Sequence, residues 1–100
     1  MNELEEINKE NKTGFPIFPA SPKAQAKLTG KFAHGYKKFS EGLYPWNLLI
    51  RPGLCFVVEL NPANARNMRT LTNYIRKRHG IKFCVLSHKD QRILEIARIE

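Results

Sequence analysis

Two cysteines, no glycine-rich phosphate loop, and no acidic residue between Asn61 and Gly80: these are the scarcities that first bound this 100-residue chain. Cys55 and Cys84 are too few for the disulfide framework of a small secreted domain. Their apolar surroundings place both as free thiols on buried or half-buried strand positions, which neighbouring strands could bring together. No stretch approaches the ~18 uninterrupted apolar residues that a membrane span requires, and the acidic N-terminus lacks the basic and apolar regions of a signal peptide. A soluble protein of the cytosol is expected, with no membrane partner. Glu59, Asp90 and Glu95 include no pair at a telling spacing for acid–base work, and neither cysteine has a motif around it. Cys55, His79, Cys84 and His88 are ligand types, but their separations fit no paired-ligand pattern for zinc. Neither an enzyme nor a cofactor is expected.

What is present is positive charge on a chain that can fold. Hydrophobic residues make up 42% of it, near the ordinary globular level, and its length suits one small domain. Lys and Arg number 17 against 9 Asp and Glu, a formal net charge of +8. The excess is unevenly placed: −2 over Met1 to Thr13, +5 over Gly14 to Gly53 and +5 over Leu54 to Glu100. A cationic surface attracts polyanions, nucleic acid foremost, or an acidic protein.

Residues 1–22 read as a flexible N-terminal arm, and 23–100 as a single small α+β domain with its core in 44–100. Within the arm, Glu3 to Glu10 can form a short fraying helix, and Pro16, Pro19 and Pro22 stand among Phe15, Ile17 and Phe18. Such a stretch can be neither helix interior nor central strand, so its rings need a surface to cover them. Ser21-Pro22 then offers an N-cap and first helical position for about two turns ending at Thr29-Gly30. From Lys31 to Ser40, Phe32, Tyr36 and Phe39 alternate with Lys31, Lys37 and Lys38. Rings beside cations suit single-stranded nucleic acid, and the same rings also make one face of a short helix packed on the core. Tyr44-Pro45-Trp46 is an aromatic turn closing one edge of the core.

The second half is the most strongly patterned. Leu54 to Leu60 is a short apolar run between Pro52-Gly53 and Asn61-Pro62, hence a buried strand. Asn61 caps a helix, Pro62 fills its first turn, and Gly80 permits a left-handed closing residue. At about 100° per residue, Met68, Leu71 and Ile75 share one sector, while Arg66, Arg69, Asn73, Arg76 and Lys77 fall on the opposite side. Ile81 to Leu86 alternates as a second strand. Ser87 to Asp90 turns the chain, and Arg92 to Ile99 returns as the last strand. The result is a β-α-β-β unit: a three-stranded sheet with one long helix, preceded by the arm and its short helical turns. The last strand is placed in the middle, because Ile93, Leu94, Ile96 and Ile99 give it apolar side chains on both faces. One helix leaves the second sheet face bare, to be covered by the segment from Phe15 to Ile50 or by a second subunit in a homodimer.

The cationic helix face is the leading candidate for a site. Arg66, Arg69, Asn73, Arg76 and Lys77, joined by Lys82 and Lys89 of the hairpin, are expected to bind DNA or RNA, with Lys37 and Lys38 as secondary contacts. Arg98 is counted with the hairpin cations. An ordinary solvated helix face would carry charges of both signs, whereas this one carries one sign only. The competing expectation is a protein-interaction module that binds or inhibits a host protein through Phe15, Ile17 and Phe18.

The second half also resembles a small uncharacterised family found mostly in bacteriophages and their relatives. The resemblance rests on Tyr44-Pro45-Trp46, Pro52-Gly53, the strand Cys55-Phe56-Val57-Val58, the helix from Arg69 to Arg78, His79-Gly80-Ile81-Lys82-Phe83 and the closing Arg98-Ile99. It covers about half of the chain. It implies a phage or bacterial cytosolic protein and brings no established activity. Members commonly have a phenylalanine pair where this chain has Cys55-Phe56, and a basic residue where it has Val85-Leu86, so no residue role is carried over.

Overall fold

The structure, a computed structural model, describes residues 2–33 and 43–100. In chain order its elements are α1 (Glu3–Glu10), β1 (Phe18–Pro19), α2 (Pro22–Gln25), a 3-10 turn (Trp46–Leu48), β2 (Leu54–Glu59), α3 (Pro62–His79), β3 (Phe83–His88) and β4 (Ile93–Arg98). The strands form one sheet in the order β1-β2-β4-β3, every neighbouring pair antiparallel. β4 therefore lies between β2 and β3, with Ile96 opposite Phe56 on one side and Val85 on the other. The central position follows from its side chains, since a strand covered on both faces must be apolar on both.

A fourth strand corrects the expected three. β1 pairs Phe18 with Cys55 and Pro19 with Leu54 on the outer edge of β2. Proline has no N–H to give a ladder, so this stretch is admitted only at an edge and for only two residues.

One sheet face carries the main core. Leu54, Phe56 and Val58 of β2, Leu94 and Ile96 of β4, and Phe83 of β3 meet Met68 and Ile75 of α3 there. Trp46 stands edge-on to both Phe56 and Phe83, each ring centre 5.2 Å away, which closes one end of this layer as expected. Part of residues 2–17 belongs to the same layer. Ile7 and Ile17 are 8% and 2% exposed, and the Asn8 amide exchanges two hydrogen bonds with the Ile17 backbone, at 2.7 and 2.9 Å. That exchange ties α1 to the β1 side of the sheet.

Among the described residues, the opposite face is roofed at one end. Ala20 and Ala24 pack on Cys55 and Ala97. All four side chains are small, which lets the short α2 turn lie close to the strands. This segment is part of the stretch expected to cover the second face, whereas Phe15, Tyr44 and Trp46 go to the helix side.

Several boundaries differ from the sequence expectation. α2 is one turn, continued by hydrogen bonds from Lys27 N to Ala24 O and Leu28 N to Gln25 O. β3 begins two residues late and includes His88, so the turn is Lys89 to Arg92, with Arg92 in the left-handed region at φ 57°. Arg98 is no surface cation. It is 1% exposed, its guanidinium donating to the carbonyls of Leu49 at 2.9 Å and Ala33 at 3.2 Å. Its position explains this, because Arg98 alternates with Leu94 and Ile96 on the core side of β4.

Candidate functional site

α3 presents its cations because both of its ends and one of its faces are fixed. The Asn61 side chain accepts from Asn64 N at 2.7 Å. Gly80 closes the helix at φ 72°, donating to Arg76 O at 2.9 Å. Met68, Thr72 and Ile75 are buried against the sheet, and Arg66, Arg69, Asn73, Arg76 and Lys77 are all exposed on the outer side, as the spacing predicts. At ~1.5 Å rise per residue the five span roughly 16 Å. Among the described residues, none of Arg66, Arg69, Arg76 and Lys77 makes an ion pair. Arg78 lies elsewhere on the helix, donating to the Tyr74 hydroxyl at 3.0 Å with its guanidinium carbon 5.8 Å from the ring centre. Cations in the last turn favour the negative end of the helix dipole, but Arg66 and Arg69 gain nothing from it.

Lys82 and Lys89 lie at opposite ends of β3. Lys89 is exposed in the hairpin turn, whereas Lys82 is half-buried just before β3. The strand between them separates their backbones by roughly 23 Å. Lys37 and Lys38, with Tyr36 and Phe39, lie outside the described residues. Phe32 is described, and the Arg98 guanidinium carbon sits 5.0 Å from its ring centre. Acidic residues cluster on α1, where Glu3 pairs with Arg51 at 2.6 Å.

The second face holds a polar cluster that sequence reasoning missed. Glu95 points away from the main core and is 2% exposed. Its Oε2 accepts from Ser21 N at 2.7 Å, and its Oε1 accepts from Ser21 Oγ at 2.5 Å and lies 2.8 Å from His88 Nε2. Burial pushes the Glu95 carboxyl up. Hydrogen bonds from Ser21, His88 and the adjacent Cys55 thiol outweigh that and leave it below its ordinary value. Burial above all, then the same carboxylate, push the Cys55 thiol up to about 12, and both causes also raise Cys84. The thiols are therefore protonated and unreactive at neutral pH. Both face Ala97 from opposite sides, so a whole strand separates them, roughly 9–10 Å against the ~7 Å limit of a disulfide.

Ser21, Glu95 and His88 contain the residue types of a hydrolytic triad in the wrong order. The carboxylate stands between hydroxyl and imidazole, and Ser21 Oγ also accepts from Ala24 N at 3.3 Å, so the serine proton meets a carboxylate and not the imidazole a triad requires. The cluster instead lines one wall of an open cavity of about 590 Å³, faced by Phe18, Pro19, Val57, Ile93, His88 and Glu95. Asp90 and Gln91 of the hairpin turn stand at its border. One signal in the sequence pointed here: an acid in a strand that is apolar on both faces must be buried, and a buried carboxylate must find donors. Its partner Ser21 is 74 residues away, beyond the reach of any spacing rule.

Among the described residues no three His, Cys, Asp or Glu side chains come together to hold a metal ion, and no helix is long and apolar enough to cross a membrane. No family model, curated protein or solved structure matches this chain.

Proposed function

We propose that this is a nucleic-acid-binding protein without enzymatic activity, which lays the outer face of α3 against the phosphate backbone. One observation carries the reading: an 18-residue helix, anchored by its buried side, holds Arg66, Arg69, Arg76 and Lys77 outward with no ion pair among the described residues. A cationic row on a rigid element meets phosphates without paying to order itself, and exposed Asn73 stands where a base edge would be read. On the resemblance described above, the setting we propose is the bacterial cytosol, in a bacterial or phage context. The alternative of a protein-binding arm has less surface to work with, because Ile17 is buried and Phe15 packs against the core, leaving Phe18 outward.

Fluorescence anisotropy with labelled single- and double-stranded DNA and RNA tests this. Four phosphate contacts give a slope of about −3.6 in log affinity against log salt, a loss of roughly 150-fold between ~50 and ~200 mM. The double variant Arg69→Glu with Arg76→Glu is expected to bind at least ~100-fold more weakly at low salt, with a slope shallower by about 2. Full affinity in a folded double variant overturns the proposal.

A further inference from the structure

We propose that the cavity on the second sheet face binds a nucleobase that carries an exocyclic amine, presented by a single strand. The inference deepens the nucleic-acid reading and rests on it for the strand, though not for the base.

Shape comes first. At about 590 Å³ the cavity falls within the range of small-molecule sites. Its apolar walls come from two directions: Phe18 and Pro19 on the edge strand, Val57 and Ile93 from β2 and β4. Phe18 is 43% exposed, while Phe15, the other ring of the arm, packs into the main core. A half-open ring beside aliphatic side chains is a platform on which a planar heterocycle stacks.

Hydrogen-bonding sense then narrows the ligand. An ionised carboxylate only accepts, so the His88 nitrogen that meets Glu95, Nε2, carries the proton. The other ring nitrogen, Nδ1, has no hydrogen-bond partner among the described residues, and in the neutral imidazole it accepts. Asp90 adds a second acceptor at the border, and Gln91 supplies an amide. The ligand must bring N–H donors. Adenine, cytosine and guanine offer an exocyclic amine with two N–H groups for the two acceptors, whereas uracil and thymine offer only the single ring N3–H.

A path joins the two faces. Arg92 O accepts from Leu60 N at 2.9 Å, which holds the hairpin turn beside the start of α3. Lys89 and Arg92 are exposed in that turn, whose Asp90 and Gln91 line the cavity, and Lys23 lines it as well. A strand whose phosphates follow α3 can cross the turn on these cations and deliver one base to Phe18.

The test uses uncharged nucleosides, which bring no phosphate for the helix to hold. The full chain is titrated with cytidine and with uridine, which differ at the exocyclic amine, and followed by NMR. Cytidine is expected to shift Phe18 and His88 saturably and independently of salt, with uridine at least tenfold weaker. Phe18→Ala, a change at an exposed ring, should weaken cytidine about tenfold or more while Arg69→Glu/Arg76→Glu leaves it unchanged. Asp90→Asn, also at an exposed position, should weaken it in the same direction. Absence of saturable cytidine shifts, equal affinity for uridine, or indifference to Phe18→Ala overturns the proposal. Loss of oligonucleotide binding in the helix double variant, with no cytidine binding in the wild type, removes the cavity and spares the helix reading. Cytidine binding together with undiminished oligonucleotide affinity in that variant does the reverse.

Discussion

A buried carboxylate is tolerated when its charge is hydrogen-bonded, and Glu95 meets that condition with Ser21 N, Ser21 Oγ and His88 Nε2, from two separate parts of the chain. Its folded-state value lies below the ordinary 4.5, so the unfolded chain binds the proton more readily. Stability from this group is therefore complete above the ordinary value and is lost as pH falls through the lowered one. Urea midpoints measured from neutral pH to about pH 3 are expected to fall less steeply for Glu95→Gln than for the wild type, because the variant has no charge to lose there. Parallel profiles would refute the assignment. Arg98 solves the opposite problem with backbone acceptors. Its guanidinium gathers Leu49 and Ala33, so a cation in a core strand becomes the fastening for two loops. Neither arrangement is visible in the segment Ile93 to Ile99 read alone, since Ser21, Ala33 and Leu49 sit 49 to 74 residues from the side chains they meet and spacing rules act over single turns.

At the scale of elements, α3 was legible because its punctuation is local. Asn61, Pro62 and Gly80 act through their own backbones, and the outward row from Arg66 to Lys77 follows from helical geometry alone. The place of β4 was legible too, because burial on both faces writes itself into composition. The contribution of β1 was not, since a two-residue pairing beside Pro19 carries no periodicity, and neither was the docking of α1 through Asn8 and Ile17. Substitutions at the caps test the local account. Asn61→Ala removes the acceptor for Asn64 N and should cost about 1 kcal/mol. Gly80→Ala should cost about 1 kcal/mol as well. An alanine Cβ there would meet no atom within 4 Å, so the cost is purely that of the left-handed backbone. The two ends lie roughly 27 Å apart, and the double variant should be additive in chemical denaturation.

For the molecule as a whole, residues 2–17 decide whether the helix-side core is complete. Fully burying a side chain such as Ile7 or Ile17 contributes ~1.5–3 kcal/mol, and a domain of this size has only ~5–15 kcal/mol in total. Deleting residues 2–17 is expected to lower the unfolding free energy by about 3–6 kcal/mol, and an unchanged denaturation midpoint would show that this segment packs without stabilising. The order of the strands has a further consequence, for the chain as it leaves the ribosome. β4 is the last of the four to be made, yet both β2 and β3 pair with it. At ~5–20 residues per second, the roughly 40 residues from Glu59 to Arg98 take about 2–8 s to add. Throughout that interval the apolar run Leu54 to Val58 has, among the described residues, only the two of β1 to pair with. The species that chaperones and aggregation compete for is thus set by topology: an open strand waiting for its central neighbour, closed in a single step when Ile93 to Arg98 arrives.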